Sequence, residues 1–149
     1  VQHPARHGAI LAAVAWDIAD TGWGDPVGLN LARVAYKIVD PASLAPGPGP
    51  HPAASPFDKR VSETLGLRAF EVYHVELPPE AETVRHNHRE DGVEDLYVVL
   101  HGHGWVVVDD EPLPVRPGLF IAVTTESARQ VRAGDEGLVF IALCAAPRW

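Results

Sequence analysis

A chain of 149 residues with 46% hydrophobic content is long enough to bury one ordinary core, and it holds no apolar run of membrane-spanning length. Its net charge of −8, with Lys37 and Lys59 as the only lysines, leaves no basic stripe for nucleic-acid phosphates or an anionic membrane surface. The lone cysteine, Cys144, excludes an internal disulfide framework and a cysteine-built zinc cluster, so small organic molecules, metals and other protein chains are the partners left.

In chain order, residues 1–39 form an alanine-rich N-terminal extension. Ile10, Leu11, Val14 and Ile18 fall at three- and four-residue spacing, which predicts a partly helical segment. Gly22, Gly24 and Pro26 end that pattern. The following run "VGLNLARVAYKIVD" reads equally as a short helix or an edge strand, stopped at Pro41. His3 and His7 have helical spacing with Pro4 between them and are not expected to hold a metal. No segment here combines a basic start, an apolar stretch and a small-residue cleavage site, so the expected location is cytoplasmic. Residues 40–56, "DPASLAPGPGPHPAASP", hold six prolines and two glycines, which predicts an extended linker without regular structure.

From residue 57 to 149 the chain changes character. Short β-branched and aromatic segments, "LRAFEVYHVELPP", "EDLYVVLHGHGWVVVDDE", "LPVRPGLFIAVTT" and "GLVFIALCAAP", predict strands. Pro78–Pro79, Asp109–Asp110, Pro117–Gly118 and Gly134–Asp135 supply turn signals between them. This spacing predicts an all-β barrel or jelly roll. Cys144 falls in an apolar run and reads as a buried hydrophobe rather than a nucleophile.

The chemistry concentrates in "RHNHREDGVEDLYVVLHGHG". His86 and His88 are two apart, so a strand would aim both imidazoles at one face, about 7 Å apart along the chain. Two neutral imidazoles pointing into a barrel suit a divalent transition metal such as iron, nickel or zinc. A carboxylate from the next strand, Glu94 or Asp95, would complete a set of two histidines and one carboxylate. Adjacent strand residues face opposite sides, so only one of the two can enter. His101 and His103, beside Gly102 and Gly104, read as solvated turn residues; His101 lies about 20 Å from Asp95 along an extended strand. His74, on the preceding strand, is a candidate for lining the pocket.

The stretch "HNHREDGVEDLYVVLHGHGWVVVDDEPLPVRPG" resembles the first motif of the cupin superfamily and its continuation into the second. "LRAFEVYHVELPPEAE" resembles the strand and Pro-Pro turn that lead into that site, so the resemblance covers about residues 67–146. It implies a cupin double-stranded β-helix, a jelly-roll barrel, with the N-terminal extension packed on its own or a neighbouring barrel. With Trp16, Trp23 and Tyr36 in that extension, it also implies a homodimer. In the family pattern six residues separate the metal carboxylate from a glycine, and counting back from Gly102 selects Asp95. Counting on from Pro117–Gly118, the family's third metal-binding histidine falls on Arg129, which offers no lone pair. The implied metal set is therefore depleted to His86, His88 and Asp95.

Arg129 opens two alternatives. Facing inward, it would pair with Asp95, predict an empty metal position, and give a ligand pocket of fixed positive charge walled by Tyr97 and Trp105. Facing outward, it would leave Asp95 to the metal. Cupins include dioxygenases, isomerases, epimerases, storage proteins and sensors, so the resemblance implies a small organic ligand without selecting a reaction. Three readings follow. One is a metal-dependent oxygenase or isomerase. Another is a metal-free enzyme with a histidine base and Arg129 stabilising an enolate-like charge. The third is a non-catalytic binding module using the same pocket.

Overall fold

The computed structural model describes residues 36–48 and 55–146. The expectations placed on residues 1–35 lie outside the described residues. Six strands run antiparallel to their neighbours: β1 (Asp58–Arg60), β2 (Glu71–Leu77), β3 (Glu94–Val108), β4 (Glu111–Val115), β5 (Phe120–Val123) and β6 (Arg129–Ala145). A five-residue helix, α1 (Val61–Leu65), follows β1 and stops at Gly66 in the left-handed conformation. Among its described residues the proline-rich stretch departs from its expectation at one place. Pro41–Ser43 makes a single 3₁₀ turn, because the Asp40 carboxylate accepts from the Ala42 N–H and a proline at the first position has no N–H to satisfy. The described ends of the stretch are tied to β1, through Gly47 N–H to the Asp58 carbonyl and Ser55 N–H to the Asp58 carboxylate.

The barrel is organised by its two long strands. β3 pairs with β6 from Glu94↔Ala145 to Val108↔Arg129, with register shifts between Val99 and His101 and between Gly102 and Gly104. Before the shifts, β3 lies between β6 and β5, and β6 carries β2 and then β1 on its other side. After them, β3 lies between β6 and β4, while residues 81–86 run along β6 through bridges at Glu82↔Arg132 and His86↔Arg129. One pair of bent strands thus runs through both halves of a single six-stranded sheet, whose inner face holds one core that includes Val75, Tyr97, Val106, Val131, Leu138 and Phe140.

The bulges change which residues face inward. In β6 the buried side chains include Arg129, Val131 and Ala133 before the glycines and Leu138 and Phe140 after them, so the core-facing positions switch from odd to even numbers across Gly134–Gly137; Gln130 is also buried, bonded to the Thr83 carbonyl. In β3 they run Asp95, Tyr97 and Val99 and then include Val106. Two sequence expectations are corrected here. Gly134–Asp135 and His101–Gly104 are not turns; they are bulges within continuous strands, where glycines let two backbones touch. A Cβ on Gly102, whose φ is +77°, would stand 2.1 Å from the Gly137 carbonyl oxygen. Gly102→Ala should therefore cost on the order of 2 kcal/mol or more, read as a lower urea midpoint at unchanged slope. A neutral result would mean the bulge relaxes freely. His101 and His103 are exposed, and His103 pairs with Asp135 at 3.1 Å on the surface.

Candidate metal and ligand site

Inside the barrel lies a cavity of about 720 Å³. Its wall is largely apolar, with Val75, Phe140 and Ala142 on it, and His86, His88 and Asp95 form a polar corner. His86 and His88 come from the segment beside β6 rather than from a regular strand. Reciprocal backbone bonds, His86 N–H to the Arg129 carbonyl and Arg129 N–H to the His86 carbonyl, hold that segment, and His88 N–H reaches the Thr125 carbonyl. The two-residue spacing thereby keeps its effect: the rings meet edge to face with centroids 5.0 Å apart, while Asn87 between them is exposed. Asp95, near the start of β3, is 3% exposed, and its neighbour Glu94 lies on the outside.

One atom collects the site. Asp95 Oδ2 lies 3.3 Å from His88 Nε2, 3.7 Å from His86 Nε2 and 3.2 Å from Arg129 Nε, and it accepts the Tyr97 hydroxyl at 3.1 Å. The ligand atoms of His86, His88 and Asp95 all lie within 4.8 Å of one another, so the group could hold a metal ion. The far side of each imidazole is also committed. His86 Nδ1 lies 2.9 Å from the Val84 carbonyl, and His88 Nδ1 lies 2.9 Å from the Asp91 carboxylate. A carbonyl oxygen only accepts, so Nδ1 of His86 carries the proton. An ionised Asp91 imposes the same arrangement on His88.

Arg129 faces inward, with a fully buried side chain. Its guanidinium donates to the Thr124 carbonyl at 2.8 Å and lies against Asp95 without forming part of the cavity wall. Arg129 thus meets the Asp95 carboxylate without itself lining the cavity. The expectation that His74 lines the pocket is corrected. Alternation along β2 turns Tyr73 and Val75 into the cavity and His74 to the other face, beside Glu76 at 3.4 Å. Trp105 lies after the bulges, exposed and away from the cavity, and Tyr97, packed edge to face on Phe140, shares the cavity wall with Tyr73 and Phe70.

Burial alone would raise the Asp95 pKa, but hydrogen bonding from His86 and Cys144 and the charges of His88 and Arg129 outweigh it, and the carboxyl sits below its ordinary range. Burial, with Asp95 nearby, pushes the Tyr97 hydroxyl well above its usual value. The same two influences push the Cys144 thiol up, so it stays protonated, although it lines the cavity instead of lying wholly in the core. Three polar participants escaped the sequence reading. Asp91 was signalled by a carboxylate three residues after His88 in a glycine-containing turn. Asp58, on the cavity wall with its carboxylate oriented by Ser55 N–H, had no local signal. Neither had Arg68, on the cavity wall before β2.

No protein-family model matches the chain, and no curated protein matches it. Solved structures do. The chain is similar to a cupin protein from Bacteroides fragilis, with a TM-score of 0.61 and 21% identity over 75% of this chain and 85% of that one. A structure described as a sugar phosphate isomerase from a cupin superfamily, from Silicibacter pomeroyi, matches with a TM-score of 0.62 and 22% identity, covering 74% and 76% of the two chains. A predicted oxalate decarboxylase from Thermotoga maritima matches with a TM-score of 0.60 and 17% identity, over 74% of this chain and all of that one, 100%. The chain has the cupin fold: a mostly antiparallel jelly roll, as the resemblance implied. Among the described residues no helix is long and apolar enough to cross a membrane.

Proposed function

We propose that the cavity binds a small organic molecule at a divalent transition metal held by His86, His88 and Asp95. The observation that carries this reading is the orientation of the two imidazoles. Each has its Nδ1 engaged by an acceptor, and each turns Nε2 toward the same anionic oxygen. Lone pairs facing a carboxylate are favourable when a cation lies among them, and a ring N–H given to a carbonyl or carboxylate is the usual outer support of a metal-bound histidine. Two nitrogens and one carboxylate suit iron, nickel or zinc. A bound ion would act as a Lewis acid on a ligand oxygen, the chemistry of an isomerase or oxygenase. The chain's own groups fix the geometry: Tyr97 and Arg129 hold Asp95, Val84 and Asp91 hold the rings, and the apolar wall limits water.

A second reading rests on the Arg129–Asp95 pair at 3.2 Å, which already balances the carboxylate. In it the pocket works without metal, as a binding module or with a histidine as base. Elemental analysis of protein purified without a metal-affinity column, followed by calorimetric titration with Fe(II), Ni(II) and Zn(II), separates the two. The metal reading expects one ion per chain, loss of binding in His88→Ala, and about 10–100-fold weaker binding in Asp91→Ala. Protein that carries no ion and takes up none sinks that reading in favour of the second.

A further inference from the structure

We infer that Asp58 is a cation-binding subsite of this cavity, and that the ligand is an apolar-bodied molecule with an anionic group for the metal corner and an ammonium group for Asp58. The inference rests on the proposed metal reading for the first group and on Asp58 for the second. The strand register places the carboxylate. Glu71, Cys144 and Asp95 are neighbours in one row across β2, β6 and β3, and Tyr73, Ala142 and Tyr97 form the next inward-facing row. In the row after that, Asp58, Val75, Phe140 and Val99 are neighbours across β1, β2, β6 and β3. Directly opposite residues of antiparallel strands share a face, and Val75, Phe140 and Val99 face the core, so Asp58 faces inward with them. It lies on the cavity wall, about 13 Å along the strands from the row of Asp95.

The carboxylate is close enough to the metal corner for the charge of His86 to act on it, and its own charge acts on Cys144; both residues line the same cavity. No side-chain cation meets it. Its chain neighbours Lys59 and Arg60 are committed to Glu76 and Glu63. Among the described residues no lysine or arginine, Arg68 included, pairs with Asp58, and its donors belong to Ser55. Those bonds shape the turn into β1, where Phe57 N–H also reaches Ser55 Oγ, and they leave the carboxylate with spare acceptor capacity. Burial raises its pKa above the ordinary range by more than Ser55 and His86 lower it, as for a carboxylate short of counter-charge. At the metal corner, by contrast, Arg129 offsets the charge of Asp95, so a divalent ion there would keep its own charge for the ligand. The cavity is then positive at one end and negative at Asp58, with Tyr73, Val75, Phe140 and Ala142 between. An ammonium on a partly buried carboxylate makes charge-assisted hydrogen bonds, and this cavity is of the size that takes drug-sized ligands.

The test titrates linear ω-amino acids, from γ-aminobutyrate to ω-aminooctanoate, into Ni(II)-loaded full-length protein. Each is measured beside the monocarboxylate of the same carbon count and its own N-acetyl form. At the best-fitting length the parent should bind the free amine about tenfold more tightly than either control. Asp58→Asn keeps an acceptor for Ser55 N–H and removes the charge. In that variant the advantage should vanish, while Ni(II) alone should bind parent and variant equally. Equal binding of the amine and its controls by the parent overturns the proposal, and needs no variant to show it. An advantage that survives Asp58→Asn overturns it too, as does a loss of Ni(II) affinity of about tenfold in that variant, which would make Asp58 a metal ligand instead. If the parent takes up no Ni(II), the metal reading fails by itself. Asp58 is then judged on the metal-free protein, with linear alkylamines against alcohols of the same length. Tighter amine binding that Asp58→Asn abolishes supports the subsite, and equal binding overturns it.

Discussion

Replacing Arg129 by methionine should cost about 3–5 kcal/mol at pH 7, because it takes a permanent positive charge from beside a buried carboxylate. The side chains of Arg129 and Asp95 are 0% and 2% exposed, so water cannot replace the guanidinium. The pH dependence follows from the depressed pKa of Asp95. A carboxyl held below its unfolded value contributes stability above that value, and loses it as pH falls through the lower folded value. Removing Arg129 removes one of the influences that depress the pKa and leaves the burial that raises it. Asp95 in the variant then takes up a proton at higher pH than in the parent, which relieves the buried charge. The stability gap between parent and Arg129→Met should therefore narrow from pH 7 to pH 4, read from urea midpoints at each pH. Asp95→Asn combined with Arg129→Met should recover much of the loss. A gap below about 1 kcal/mol at pH 7 would mean that the pair contributes no more than an exposed one.

How far the sequence disclosed this site depends on which physical relation placed each residue. His86, His88 and Asp95 were legible because strand alternation acts locally, and two-residue spacing keeps two rings on one side even where the segment is only bridged to β6. Arg129 was legible as a position, counted from Pro117–Gly118. Its orientation was not, because that depends on the Thr124 carbonyl and Asp95 being ready to receive a guanidinium. His74 went wrong for want of a register: only the pairing of β2 with β6 decides whether odd or even positions face the cavity. The glycines at 102, 104, 134 and 137 read as turn signals because a turn and a bulge ask for the same freedom. What distinguishes them is that Gly102 and Gly137 meet across two strands 35 positions apart in sequence, as their numbers show. Asp58 and Arg68 reach the cavity from outside the motif, through the pairing of β1 with β2 and the segment before β2, so no local pattern marks them.

Arg129→His should convert the site into a three-histidine, one-carboxylate set and tighten transition-metal binding by about 100-fold, or roughly 2.7 kcal/mol. Two observations support the size of the effect. First, Arg129 and His86 are direct antiparallel partners that exchange both backbone hydrogen bonds, so their side chains leave the sheet on the same face, side by side. A histidine at 129 would start from the position best placed to join His86 and His88. Second, the parent guanidinium lies 3.2 Å from the oxygen that both imidazoles face. There it competes for that oxygen and repels a cation in a medium that screens poorly. The variant removes the repulsion and adds a nitrogen donor. Without metal it should be less stable than the parent, since Asp95 loses its partner. Saturating Ni(II) should restore its melting temperature far more than it raises the parent's, because binding to the folded state alone stabilises it by an amount that grows with the logarithm of affinity. Calorimetry and thermal melts with Ni(II), Fe(II) and Zn(II) measure both effects. Equal binding, or none, in the two proteins would show that position 129 does not meet the metal corner despite its pairing with His86. Tight binding by the parent and loss in Arg129→His would show that the site needs the guanidinium to hold Asp95 in place.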